Sequence, residues 1–379
     1  MAIIIGADFV PTETNIELYR TGNAKELVGE ELISLLNGFD FRIFNLEMPL
    51  VDKASPISKC GPNLIAPTDA VRLYKELRVD LMTLANNHIM DQGEAGLSST
   101  ISTLDKNSIS YFGVGENVEK ASEPYIVNSS GKKIGIYGCV EHEFSTAGES
   151  SPGANPYDPL YSYDHVRSLK AVCDYVIVLY HGGKEFYRYP SPALQKACRK
   201  FAECGADLVL CQHSHCIGCM EKYAGATIVY GQGNFLFDHG NNEYWQTGLL
   251  IGVSGEGVID FYPVVKHENK VRLAGLNEKA EILNAFSARS KEITDQSLVE
   301  AKYRDFADKS LERYLLSMYG ITNRNILFRV FNKITGHRYE ISMLKRRYRK
   351  ESLLYILNYV DCEAQRELLI KGLKDRIED

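Results

Sequence analysis

No apolar run in this 379-residue chain is long enough to cross a bilayer as a helix, because charged residues interrupt every stretch after Ile3-Ile4-Ile5. The opening Met1-Ala2-Ile3-Ile4-Ile5 is too short for the apolar region of a secretory signal, so a cytoplasmic protein is expected. Excess charge of one sign is also missing. With 43 Lys and Arg against 49 Asp and Glu, the formal net charge of -6 argues against a dedicated nucleic-acid binder. The nine cysteines form no paired framework. Cys216-Ile-Gly-Cys219 has zinc-ligand or redox spacing, but no second CxxC accompanies it, and the set reads as reduced, buried thiols. A complete glycine-rich nucleotide loop is lacking as well, and Gly113-Val-Gly115 reads as a turn. What remains is ordinary globular composition, 45% hydrophobic and 24% charged, in a chain longer than one core usually holds. One large domain with an appendage follows.

Hydrophobic periodicity alternates between two values along most of the chain. Ile3–Ile5, Phe41–Phe44, Asp80–Leu84, Ile109–Phe112, Asp174–Tyr180, Ala206–Cys211 and Thr227–Tyr230 read as strands, and Gly248–Val253 and Gly257–Val265 extend the sheet system. A hairpin is expected from Tyr125–Val127 and Lys133–Gly138 around Ser129-Ser130-Gly131. Helical spacing appears in Ala24–Leu36, after Pro67-Thr68-Asp69, in Gly93–Asn107, and from Ser191-Pro192 to Glu203, where Gly205 stops it. Strands alternating with helices predict an α/β fold. Two long loops stand out. The segment 51–67 offers Lys53, Lys59 and Asn63 as substrate contacts, and 145–163 is expected to overhang the site as a lid or wall. Past Lys279 the glycines thin out and helical stripes take over, which divides the chain into a domain 1–279 and a helical region 280–379. Arg324 to Lys350 is strongly basic, with Glu340 its single acid, and carries Ile326, Leu327, Phe328, Val330 and Phe331. Such helices could contact an anionic membrane surface or a synthase partner, or pack on their own domain.

Strand after strand ends in a side chain that can hold a metal. Asp8 follows the first, Asn45-Leu46-Glu47 the second, Asn86-Asn87-His88 with Asp91 the third, and His181 with Glu185, then His213-Ser214-His215, come later. In open α/β sheets the carboxyl ends of strands are where ligands bind. Two divalent ions need a bridging carboxylate, several imidazoles and an amide or carboxylate, and together they activate water and steady an oxyanion. The inventory supplies all of these. A His-x-His pair at a strand end can send its rings to different ions once the turn breaks strict alternation.

These residues carry a family resemblance. From Ile5 to Asp238 the chain resembles the CapA family of poly-gamma-glutamate or capsule synthesis proteins, whose fold is related to the calcineurin-like metallophosphoesterases. The matching motifs are Asn45-Leu-Glu-Met-Pro-Leu50, Leu84-Ala-Asn-Asn-His-Ile-Met-Asp91, His181-x-Gly-x-Glu185, Gly205-Ala-Asp-Leu-Val209, His213-x-His215, Glu221-x-Tyr223 and Gly233-Asn-Phe235 with Phe237-Asp238. The resemblance implies a four-layer α/ββ/α sandwich with a C-terminal helical extension and a centre of one or two divalent ions of the Mn, Zn, Mg or Fe kind. Carried over by position, it makes Asp8 and His215 ligands of one ion, Asn87, His181 and His213 ligands of the other, and Glu47 the bridge. His88 would protonate a leaving group, oriented by Asp91, while Asn45, Glu185, Glu221 and Asn234 would contact substrate or support the ligands. One departure is visible: phosphoesterases usually place a histidine two positions after the first aspartate, and here Val10 stands there. The implied work is metal-dependent hydrolysis or transfer on an anionic small molecule or polymer in capsule, exopolysaccharide or poly-gamma-glutamate synthesis, inside the cell or at the inner membrane face. The alternative is a non-catalytic accessory protein of a membrane-bound polymer synthase.

Overall fold

A computed structural model describes residues 2–129, 131–320, 326–336 and 338–378; Ser130 of the expected hairpin turn and Arg324 of the basic segment lie outside the described residues. The first half of the chain contributes strands β1 (Ile3–Val10), β2 (Phe41–Asn45), β3 (Leu81–Thr83), β4 (Ser110–Phe112), β5 (Val114–Gly115), β6 (Tyr125–Ser129), β7 (Lys132–Val140) and β8 (Gly153–Ala154). The second half adds β9 (Tyr175–His181), β10 (Leu208–Gln212), β11 (Ile217–Tyr223), β12 (Ala226–Gln232), β13 (Leu236–Phe237), β14 (Thr247–Val253), β15 (Ile259–His267) and β16 (Lys270–Leu273). One sheet runs β16-β15-β14-β1-β2-β3-β4, with β13 also paired to β1; the other runs β11-β12-β10-β9-β7-β6; β5 and β8 form a small ribbon. The central strands of both sheets are parallel, so helices must cover the outer faces. Those covers are α1 (Ile16–Thr21), α2 (Ala24–Asn37), α3 (Val71–Glu76) and α4 (Gly93–Lys106) on the first sheet. A short α5 (Val118–Ala121) precedes α6 (Ser162–Lys170) and α7 (Pro192–Glu203), which cover the second.

The period-two alternation of the strands builds the layers directly. Ile3 and Ile5 of β1, Ile43 of β2 and Leu81 of β3 point between the sheets, where they meet Ile136, Ile177, Leu179, Leu208 and Leu210. Their neighbours Ile4, Phe44 and Met82 face Leu27, Leu32, Tyr74 and Leu97 of the helices outside. On the opposite side Val176, Val178, Tyr180 and Val209 pack on Val166, Leu169, Cys198 and Phe201. Three cores between four layers make a helix–sheet–sheet–helix sandwich. The start of α7 follows its sequence signal: the Ser191 hydroxyl accepts the Leu194 N–H at 3.0 Å, with Pro192 in the first turn.

Three features depart from the sequence reading. Strand β1 does not stop at Ile5 but continues to Val10, with a register shift between Ile5 and Asp8 that sets Asp8 opposite Asn45. The edge strand β11 was not anticipated, and Cys219 of the CxxC spacing is buried on it. The composition change at Lys279 is also not the structural boundary, because the first compact unit runs to Glu300. Helix α8 (Leu276–Glu292) belongs to that unit: Phe286 is buried against Phe261 at 5.2 Å, and the Ser290 hydroxyl accepts the Met220 N–H. The second unit starts at Ala301, within α9 (Gln296–Met318), and continues through α10 (Ile326–Ile334), α11 (Arg338–Arg347), α12 (Lys350–Asp361) and α13 (Glu363–Glu378). Within it the Tyr348 hydroxyl donates to Leu315 O at 2.9 Å, and Leu327, Val330 and Ile334 of α10 are exposed. No helix of the described residues is long and apolar enough to cross a membrane.

Phe201 is fully buried and touches Tyr137, Tyr157, Tyr163 and Tyr180. Phe201→Ala is expected to cost about 3–5 kcal/mol in urea unfolding, and a loss under about 1 kcal/mol would contradict this packing.

Candidate metal centre

The carboxyl ends of both sheets converge on one buried cluster. Asp8 turns inward at the β1 irregularity, Asn45 ends β2 with Glu47 just beyond it, and His181 ends β9. After β10, His213 and His215 both take positive φ, 82° and 54°, a conformation that costs energy for a side chain larger than glycine. That turn breaks strand alternation and brings both rings toward the carboxylates. Gly233 also has positive φ, and a Cβ there would stand 2.6 Å from Thr247 O, so only glycine fits. The backbone so placed presents Asn234 Oδ1 to His215 Nδ1 at 2.9 Å.

Two overlapping groups result, Glu47–His181–His213 and Asp8–Glu47–His215, each with its donor atoms within 4.8 Å of one another. Asp8, Glu47 and His181 are at most 2% exposed. The protein nevertheless leaves their best donors unused. Asp8 Oδ2, both Glu47 oxygens and His213 Nδ1 have no hydrogen-bond partner among the described residues. His181 Nε2 stands 3.1 Å from Glu47 Oε1, but it donates to Asn87 Oδ1 at 3.0 Å, while Asn45 Nδ2 donates toward its Nδ1. Buried carboxylate oxygens left bare are costly unless a cation takes them. Charge tells the same story. Burial and the neighbouring Asp8 push the Glu47 carboxyl up to about 8, and burial holds His181 down to about 4. His215 moves the other way, to about 9: burial opposes the shift, but the Asp8 and Glu47 carboxylates outweigh it. Carboxylate oxygens with imidazole nitrogens at this spacing fit one or two divalent ions.

Beside this cluster lies a second constellation, carried by loops. Asp91 Oδ2 accepts from His88 Nδ1 at 2.6 Å and from Leu64 N at 2.6 Å. Lys59 reaches in from the loop 51–67, with its side chain 2% exposed; it pairs with Asp91 Oδ1 and stands 3.2 Å from His88 Nδ1. The loop is tied down elsewhere too, by Ile57 N to Asp91 O and Ser55 N to Gln92 Oε1. Asn86 links the two constellations: its amide donates to Asn45 Oδ1 and Leu46 O, its oxygen accepts His88 N, and Asn45 Nδ2 donates to Asp8 Oδ1 at 2.7 Å.

Asp8, Asn45, Glu47, Asn87, His88, Asp91, His181, His213, His215 and Asn234 thus meet in one place. Glu185 lies near enough to act on Glu47 and His213 through its charge. Glu221 does not join them, which corrects the sequence reading. It sits further along β11, where Arg199 grips both its oxygens at 3.0 and 2.7 Å and Tyr230 donates to it, a structural ion pair between α7 and the sheet edge. The loop 145–163 is no free lid either: the Ser145 hydroxyl donates to Asn87 O, and Gly153–Ala154 pairs with β5. Sequence reasoning missed two neighbours. Trp245 stacks on His215 with centroids 4.3 Å apart, and Glu143 accepts the Asn87 amide at 3.1 Å. Only the singularity of the tryptophan could have drawn attention to the first, and nothing marked the second.

Lys59→Met removes the ammonium group that pairs with the buried Asp91 carboxylate. The expected loss is roughly 3–5 kcal/mol of stability, read by urea unfolding; a variant as stable as the parent would show that Leu64 N and His88 suffice for Asp91.

The family model described as "Bacterial capsule synthesis protein PGA_cap" matches residues 8–239, more than half of the chain. The PGA biosynthesis protein CapA of Bacillus subtilis is 27% identical over 206 residues, 53% of this chain and 54% of that protein. The capsule biosynthesis protein CapA of Bacillus anthracis is 26% identical over 241 residues, 60% of this chain and 59% of that protein. The match therefore spans little more than half the length of these relatives. Among solved structures, a hypothetical protein from Thermus thermophilus overlays with a TM-score of 0.46 at 13% identity, covering 70% of this chain and all of that one. On the family match, the chain belongs to the bacterial capsule synthesis protein PGA_cap family.

Proposed function

We propose that the chain is a divalent-metal-dependent hydrolase or transferase of phosphoesterase type, acting on an anionic substrate in capsule, exopolysaccharide or poly-gamma-glutamate synthesis. The observation that supports this most is the set of bare, buried donors on Asp8, Glu47 and His213 beside a histidine fixed by a carboxylate. Asp8, Glu47 and His215 would hold one ion; Glu47, His181 and His213, with Asn87, would hold the other. A bound ion of this class polarises a phosphoryl or carbonyl oxygen and lowers the pKa of a coordinated water.

The chain's own residues supply the rest. With Nδ1 held by Asp91, His88 has Nε2 left to face substrate and deliver a proton to the leaving group. Lys59 holds Asp91 in place, so the imidazole keeps its orientation. Asn45 and Asn86 fix the spacing between the proton donor and the Asp8 carboxylate. Trp245 covers one face of His215 and keeps water from it. A second reading, a non-catalytic accessory protein of a membrane-bound synthase, is favoured by the exposed apolar face of α10 and the Lys345-Arg346-Arg347 end of α11.

Elemental analysis and hydrolysis of a phosphodiester test the first reading against the second. The purified protein is expected to carry one or two divalent ions per chain and Glu47→Gln to lose them. His88→Ala is expected to keep its metal while hydrolysis falls by about 10²–10⁴-fold. A metal-free, inactive parent would sink the enzyme reading. Chelation should also lower stability, by about 2.7 kcal/mol relative to protein with free ion at 100 times its Kd; an unfolding midpoint indifferent to chelator and added ion would contradict a built metal site.

A further inference from the structure

A cavity of about 350 Å³ lies between α8 and the start of β11, lined chiefly by Arg188, Ile217, Thr247, Glu281, Ile282 and Arg289. That volume is in the range of small-ligand sites. Two guanidinium groups meet in it. Arg188 Nη1 and Arg289 Nη2 each donate to Ile217 O at 3.1 Å, and Arg289 Nε donates to Gly218 O at 2.7 Å. These bonds anchor the two forks and leave Arg188 Nε and Nη2 and Arg289 Nη1 without a protein acceptor among the described residues. Neither arginine has an ion-pair partner there. The acid that could have served, Glu278, is gripped by Arg272 at 2.7 and 2.8 Å, and Glu281 stands exposed at the rim. Burial, and next the charge of Arg188, lower the affinity of Arg289 for its proton. Two like charges held side by side without a counter-ion are a cost that a bound anion removes.

The cavity adjoins the metal centre. Ile217 is two residues from His215, so their Cα atoms are at most about 7 Å apart. Arg188 lies over the Tyr244 ring at 4.8 Å, Tyr244 packs on Phe186, and Phe186 packs on His215. We propose that this cavity is an oxyanion subsite, in which Arg188 and Arg289 seat a carboxylate or phosphate group of a substrate whose reacting bond lies at the neighbouring centre. Planar forks with free N–H groups suit either anion. The inference rests on the reading of an anionic substrate given above.

Binding to the metal-free full chain tests it apart from catalysis. Calorimetric titration with inorganic phosphate and with a tri-glutamate peptide is expected to give one site for at least one probe, with a change in Trp245 emission. Arg188→Gln and Arg289→Gln should each weaken it about tenfold, and the double variant should abolish it, while Arg304→Gln in the second unit leaves it unchanged. Tighter phosphate binding assigns the site to a phosphate, tighter tri-glutamate binding to a carboxylate. Should the glutamine variants unfold, Arg188→Lys and Arg289→Lys keep the charge and lose the fork, and a several-fold loss is expected from them. Affinity unchanged in every folded variant overturns the proposal, as does a wild type that binds neither probe at millimolar concentration. A metal-loaded parent that binds a probe but hydrolyses no phosphodiester would count against the enzyme reading alone.

Discussion

Two carboxylates, Asp8 and Glu47, are buried together where the carboxyl ends of the two sheets converge, and much of the surrounding structure answers that constraint. An isolated buried carboxylate is expensive, and two side by side raise each other's cost unless positive charge intervenes. The protein supplies little of that charge itself. It brings three imidazoles, of which His215 takes a proton readily and His181 resists one, and it leaves Asp8 Oδ2 and both Glu47 oxygens without a hydrogen bond among the described residues. A fold built only for stability would fill such a place with isoleucine, as it does one layer away at Ile43 and Ile177. The retained carboxylates, the irregular β1 and the positive-φ histidines are all unfavourable locally, and all point at one spot.

The His88–Asp91 pair is built differently from the candidate metal ligands. Asp8, Asn45 and His181 sit on strands that two sheets clamp, so their positions follow from the core. His88 and Asp91 sit on a loop, and a loop needs its own restraints to reach comparable precision. The segment 51–67 provides them by wrapping Asp91 and Gln92 with backbone N–H groups and inserting Lys59. The asparagine relay from Asn86 through Asn45 to Asp8 then ties loop to strand by side chains alone. Position on the sheet and position of the His88–Asp91 pair are thereby coupled through two amides.

What could be read from the sequence follows from where the information is local. Alternating strands and 3.6-period helices carry their own burial pattern, so the α/β class and the strand ends bearing Asp8, Glu47, His88, His181, His213 and His215 were legible, while the four layers were implied by the family resemblance. Glu221 misled because its motif position says nothing of partner: Arg199, 22 residues away in sequence, claims it. Strand β11 was invisible because its residues alternate poorly, with Cys, Gly and Lys among them, and its pairing with β12 defines it. The boundary at Glu300 was missed because composition changes at Lys279, whereas α8 is held by contacts to β11 and β15 that only the fold brings near. Lys59 was expected, with Lys53 and Asn63, as a substrate contact, and the structure instead pairs it with the buried Asp91, a partner its loop sequence does not name.

Asn87 shows how the two halves of the site must trade partners. Its oxygen accepts from His181 Nε2 and its amide donates to Glu143, so this candidate ligand is already satisfied at both ends, as is His181, whose Nδ1 faces the Asn45 amide. An amide oxygen cannot hold an ion and remain the sole acceptor for an imidazole hydrogen without competition. An ion at the Glu47–His181–His213 group would need the His181–Asn87 bond to open, and one at the Asp8–Glu47–His215 group would need an imidazole whose Nδ1 is already held by Asn234.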